Sequence, residues 1–90
     1  MQIIHDKENF EIAYIDQNHQ KMGRLRYRYL SDSVIDVFTT KVEAEFQGKG
    51  IAGELYKAVI AFAEQNHLKI KPSCSYIDVK MQRTHKDLMA

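Results

Sequence analysis

The sequence predicts an α+β fold: a mostly antiparallel, mixed sheet with one main helix and a short C-terminal helix. Three observations lead there. Between Phe10 and Val42 the apolar residues fall at the period-two spacing of half-buried strands. Between Ile51 and Ala63 they shift to the 3.6-residue spacing of an amphipathic helix, the one strong helical pattern in the chain. A short apolar run then follows, and a strand that comes after a helical crossover can pair parallel with the strand before it.

Taken in order, Phe10 to Ile15 reads as a strand with Phe10, Ile12 and Tyr14 on one face. Asp16 to Lys21 is polar and reads as a loop. Leu25 to Tyr29 alternates cleanly, turning Leu25, Tyr27 and Tyr29 inward and Arg24, Arg26 and Arg28 the other way. Ser31-Asp32-Ser33 supplies turn chemistry before a third strand, Val34 to about Val42. Short connections make these three strands an antiparallel meander. The helix runs from Gly50 to Asn66, with Ile51, Ala52, Leu55, Ala58, Val59, Phe62 and Ala63 as its apolar stripe, and Asn66 and His67 end it, asparagine being tolerant of the left-handed conformation. Leu68 to Lys71 is the fourth strand, ended by Pro72. Ser75-Tyr76-Ile77-Asp78 has the form of a capping box and opens a helix to about Arg83. Thr84 to Ala90 carries no assignable pattern.

A chain of 90 residues is one small domain, spanning 1–90. Its net charge of +1 creates no field that would gather nucleic acid or an anionic membrane, so neither is expected as a partner. No apolar run approaches the roughly 20 residues of a transmembrane helix. Met1 to Phe10 has scattered charges and no apolar segment of a signal peptide. With Cys74 alone there is no internal disulfide, which points to the cytoplasm. The four histidines show no metal-ligand spacing, and His5, His19 and His67 read as loop or terminus residues.

Gln47-Gly48-Lys49-Gly50-Ile51-Ala52-Gly53 is the richest stretch. Its glycines permit a tight turn and a close backbone approach, and the helix start after them offers unpaired amides and partial positive charge. That combination suits a phosphate group. It is not a nucleotide P-loop, because Lys49 precedes Gly50 and no Ser or Thr follows it. Gly48, Gly50 and Gly53 do fall at the G-x-G-x-x-G spacing, but only one strong helix pattern is present and no βαβ unit surrounds them, so a dinucleotide loop is set aside. It does meet Q/R-x-x-G-x-G/A, from Gln47 through Gly50 to Ala52.

That pattern resembles the acetyl-coenzyme A pyrophosphate loop of the GCN5-related N-acetyltransferase superfamily. Pro72-Ser73-Cys74-Ser75-Tyr76, downstream of the helix and a short strand, is similar to the cysteine motif of its small single-domain, YjdJ-like branch. The resemblance implies a trimmed acyl-CoA N-acyltransferase-like fold that binds coenzyme A or acetyl-coenzyme A. It implies that Val42, Gln47, Gly48, Lys49, Gly50, Ile51, Ala52 and Gly53 hold the cofactor, and that Cys74 lies near the thioester. One departure is Thr39, where members of that branch often carry a histidine.

Two routes for acetyl transfer to an amine are open. Cys74, favoured as a thiolate by the helix start and Lys71, takes the acetyl group and passes it on, or the amine attacks the thioester directly. His85 is the one C-terminal histidine able to serve as base. A non-catalytic coenzyme A-binding module is the alternative. A small RNA-binding domain built on Arg24, Arg26 and Arg28 is a further one, set against a solvated strand face paired with Glu11 and Asp36. The acceptor is not legible, and the oligomeric state lies between monomer and weak homodimer.

Overall fold

The computed structural model describes residues 2–90; Met1, first residue of the segment read above as lacking a signal sequence, lies outside them. Strands β1 (Gln2–Asp6), β2 (Glu11–Ile15), β3 (Lys21–Ser31), β4 (Val34–Val42) and β5 (Lys69–Pro72) form one sheet in that order. The first four are antiparallel neighbours, and β5 pairs parallel with β4 after the crossover through helix α1 (Ile51–Gln65). Helix α2 (Ser75–Thr84) follows β5. The mixed α+β architecture matches the sequence expectation.

β1 was not foreseen. Its segment alternates weakly, yet in register with β2 it sets Ile3 and His5 beside Tyr14 and Ile12. His5 is therefore a strand residue rather than a terminal one. Phe10 lies outside β2, at φ 55° and 41% exposed, and leaves Ile12 to the core. β3 begins earlier than expected, taking Lys21 from the loop, and at its far end Tyr29 is exposed.

The core joins Ile12, Leu25, Tyr27, Ile35 and Val37 of the sheet to Leu55, Val59 and Ala63 of α1 and Ile77 and Met81 of α2. Gly23 lets α1 come close: a Cβ there would stand 3.0 Å from Ile51 Cγ2 and 3.1 Å from the Lys41 carbonyl oxygen. At the other end of α1 the left-handed residue is His67, at φ 56°, not Asn66. Leu68 N–H reaches the Ala63 carbonyl at 2.8 Å and His67 N–H the Glu64 carbonyl at 3.4 Å, the bond pattern of a Schellman stop. The unassigned tail forms a single 3-10 turn, Lys86–Leu88, after which Met89 bridges to Ile70.

One irregularity shapes everything at the functional end. Val37 pairs with Tyr27 and Thr39 with Arg26, so Phe38 is an extra residue bulging from β4. At that same level β5 stops pairing, its last partner contact being Val37 with Pro72. Beyond it β4 runs on to Val42 without β5 alongside.

Candidate functional site

Cys74 sits in the fork where the two strands part. Its amide donates to the Val37 carbonyl at 3.0 Å, and its thiol, half-buried, lies 3.5 Å from Thr40 Oγ1. The bulge decides which threonine meets it. Thr39 pairs with Arg26 on one face, whereas Thr40 pairs with the core residue Leu25 and so turns to the helix side. Cys74 itself is the N-cap of α2, with Asp78 N–H bonded to its carbonyl at 2.9 Å. Ser75, expected to cap the helix, is instead its first residue, and no side chain caps this end.

After β4 the chain makes a 3-10 turn, Ala44–Phe46, and enters the glycine loop. Gly48 and Gly50 take φ of 84° and 78°, the left-handed region that disfavours other residues. Nothing lies within 4 Å of a Cβ built on either one, so conformation rather than crowding requires glycine, and the space over the loop is open. The helical ladder opens with Glu54 N–H to the Gly50 carbonyl at 3.2 Å, which leaves the amides of Ile51, Ala52 and Gly53 ahead of it. Gln47 braces the loop, its Nε2 donating to the Val42 carbonyl at 3.2 Å.

These residues surround one hollow of about 270 Å³, lined by Val42, Gln47, Gly48, Gly50, Ile51, Ala52 and Gly53. Lys49 is exposed and does not line it. Two lining residues were not selected from sequence as cofactor contacts, Phe46 and Tyr76. Tyr76 closes the α2 side, its hydroxyl 3.9 Å from where a Cβ on Gly53 would stand. Burial, with Tyr56 and Cys74 nearby, raises the Tyr76 phenol above its ordinary range, so it is protonated at neutral pH. Three other hollows of about 290 to 310 Å³ are as large, so volume alone does not single this one out. Its lining by the glycine loop and the first residues of α1 distinguishes it.

Several expected partners lie elsewhere. His85 Nδ1 bonds Tyr56 Oη at 2.7 Å and Thr84 Oγ1 at 2.9 Å, tying the end of α2 to α1. Lys71 stands opposite Asp36 in the β4–β5 register and acts on that carboxylate. Arg28 also pairs with Asp36, at 3.0 Å. Burial of Asp36 opposes its charged form, but Ser73 and Arg28, helped by Lys71, hold its pKa below the ordinary value. By strict geometry Asp36 Oδ1 makes no hydrogen bond, so the Ser73 contribution is the looser of the two. Glu11 faces Arg26 in register, but its carboxylate is taken by Lys21 at 2.6 Å. Tyr27, on the face opposite the arginines, is buried and offers no ring for stacking. No cluster of metal-ligating side chains occurs among the described residues, and no helix there is long and apolar enough to cross a membrane.

The family model described as GCN5-related N-acetyl-transferase matches residues 9–88, nearly the whole chain. This protein belongs to the GCN5-related N-acetyltransferase family. Among curated relatives, protein NATD1 of chicken (Gallus gallus) is 29% identical over 77 residues, covering 86% of this chain and 70% of its own. Protein NATD1 of zebrafish (Danio rerio) is 30% identical over 78 residues, with the same two coverages. The solution NMR structure of a GCN5-like protein from Staphylococcus aureus superposes with a TM-score of 0.74 at 26% identity, covering 99% of this chain and 87% of that one. The mixed five-stranded sheet with its two helices is therefore an N-acetyltransferase fold.

Proposed function

We propose that this acetyltransferase-family protein binds acetyl-coenzyme A in the fork and transfers its acetyl group to an amine. The observation that supports the reading is that Gly48, Gly50, Ile51, Ala52 and Gly53 line a hollow together with Tyr76, and that Cys74, two residues before Tyr76, begins α2 at the parting of β4 and β5. The group fits the residues present. A diphosphate is a multiple hydrogen-bond acceptor, and Gly48 and Gly50 line the hollow without a side chain to obstruct a close backbone approach. Acetyl-coenzyme A supplies an activated thioester.

Loop amides hold the diphosphate, and Gln47 keeps the loop against β4. The edge of β4 beyond Val37, free of β5, offers backbone groups to the thioester arm. In direct transfer the amine nitrogen forms a bond to the acetyl carbon, the carbon–sulfur bond breaks, the amine's proton leaves to solvent and the departing thiolate takes up one. A covalent relay is favoured by one observation, Cys74 Sγ at 3.5 Å from the Thr40 hydroxyl in the fork. There Cys74 loses its proton, forms the thioester and releases coenzyme A as thiol. The amine then displaces the cysteine sulfur, which regains a proton.

The test is a titration of isotopically labelled protein with coenzyme A, followed by amide NMR. Shifts concentrated at Gly48 to Gly53, Thr40 and Cys74 support the reading; an unchanged spectrum at millimolar ligand overturns it. Turnover of acetyl-coenzyme A over a panel of amines, polyamines and peptides then separates an enzyme from a binding module.

A further inference from the structure

Lys80 lies one turn beyond Tyr76 on α2, half-buried, with Nζ 5.7 Å from the centre of the Tyr56 ring and 5.9 Å from that of Tyr76. The two ring faces hold the ammonium where α1 and α2 meet. Tyr76 also lines the hollow over the glycine loop, so the ammonium and the hollow share that residue. No carboxylate pairs with Lys80 among the described residues. Asp78, its near neighbour on α2, instead accepts from Gln82 at 3.1 Å.

We infer that Lys80 recognises the 3′-phosphate of coenzyme A and so makes the protein prefer coenzyme A to its dephospho form. This rests on the reading under Proposed function. Coenzyme A carries a diphosphate on the 5′ position of its ribose and a phosphate monoester on the 3′ position of the same ring. Backbone amides of residues 48–53 serve the diphosphate, which both forms possess, and cannot tell them apart. The monoester is a compact anion best met by a side-chain cation. The glycine loop and the helices α1 and α2 carry three lysines, Lys49, Lys57 and Lys80. Lys49 is within the diphosphate loop itself, and Lys57 is tied to Glu54 at 3.4 Å. Lys80 remains, pre-positioned by its two rings, so little side-chain freedom is lost when it engages an anion.

Calorimetric titration of the full chain with coenzyme A and with 3′-dephospho-coenzyme A tests this. Wild type is expected to bind coenzyme A about tenfold tighter, the scale of one charge-assisted hydrogen bond at a half-exposed site. Lys80→Gln should bind both forms at the wild-type affinity for the dephospho form, which also shows that the variant is folded. Lys80→Arg should keep the preference, and Lys57→Gln should leave it unchanged. Equal wild-type affinities for the two forms, or a full preference surviving in Lys80→Gln, overturn the inference while leaving the coenzyme A site intact. Binding of neither form by wild type overturns the site itself, and the assignment of Lys80 with it.

Discussion

The Cys74 amide and the Val37 carbonyl meet at 3.0 Å, one residue before Phe38 bulges out of β4. That bond ties the start of α2 to β4 at the level of the last β4–β5 pair, where the thiol has Thr40 as its partner. The bulge lies at the level where the β4–β5 ladder ends, and it decides that Thr40 rather than Thr39 turns toward the sulfur.

Two glycines are required for different reasons, and alanine scanning will separate them. Gly23→Ala drives a Cβ against the Lys41 carbonyl at 3.1 Å and Ile51 at 3.0 Å, and should cost about 1–3 kcal/mol by overpacking. Gly50→Ala meets nothing within 4 Å, but its φ of 78° should cost about 1–2 kcal/mol. Gly50→Asn should recover part of that loss because asparagine tolerates this region, whereas Gly23→Asn should be worse than alanine. Urea denaturation of the four variants is the measurement; recovery at position 23 would refute the distinction.

Gln47→Ala removes the brace from loop to β4 without touching the core. Stability should change by less than about 0.5 kcal/mol, as for an exposed side chain. Coenzyme A affinity should fall several-fold, because the amides of residues 48–53 lose their fixed direction before binding. Equal affinity for both proteins in the same titration would mean that Gln47 is not the brace.

How far the chain could be read without coordinates follows from the same details. β4 and α1 were legible nearly to the residue because pattern and flanking turn chemistry agree there. β1 was not, since Ile3, Ile4 and His5 acquire meaning only in register with β2. The glycine loop was visible as a motif. Tyr76, Phe46 and the Thr39–Thr40 choice were not, because a helix crossing and a one-residue bulge set them, and neither leaves a local signature. The turn-and-aromatic spacing around Tyr76 could have flagged it as close to the loop only if the packing of α2 on α1 were already known.

His5 gives the fold a pH dependence on the far side of the core. Its Nε2 lies 2.7 Å from the Tyr27 hydroxyl, and its ring packs edge-on against Phe62 with centroids 4.5 Å apart. Burial pushes Tyr27 up to about 12, so the phenol stays protonated and shares this hydrogen bond with His5 Nε2. Burial chiefly, with Lys7 adding and Asp6 opposing, lowers the His5 pKa from 6.5. The unfolded chain therefore takes up this proton more readily than the folded one. The His5 contribution to stability is complete above pH 6.5 and is lost as pH falls through the lower folded value. Denaturation midpoints at pH 7.5 and 5.0 should drop less in His5→Gln than in wild type; parallel drops would remove His5 from the account.

Asp36 is 1% exposed, and its partner Arg28 is 64% exposed. Asp36→Asn should therefore cost about 1–2 kcal/mol at pH 7, much less than a fully buried pair, because water can take back Arg28. The folded carboxyl has a pKa below 3.8, so this contribution is present above that value and fades as pH falls through the folded one. Wild type and Asp36→Asn should thus differ at pH 7 and converge in acid, followed by urea midpoints. A gap that stays constant down to pH 2.5 would show that packing, not charge, explains the loss.

The role of the thiol is open to a direct measurement. Cys74 is half-exposed in the fork, accessible to a reagent from solution yet held by its own backbone to β4. If it carries the acetyl group, incubation with acetyl-coenzyme A followed by acid quench should leave 42 Da, the mass of one acetyl replacing a proton, on the peptide bearing Cys74 (about one per chain at saturation, as covalent catalysis requires). Cys74→Ser should then lose at least about a hundredfold in turnover while binding coenzyme A normally, since the exchange removes a nucleophile and little volume. Thr40→Val should lower turnover less than Cys74→Ser, because it withdraws only the hydroxyl at 3.5 Å. An unlabelled Cys74 together with unchanged turnover in Cys74→Ser would assign the chemistry to direct attack by the amine, with β4 beyond Val37 as its scaffold.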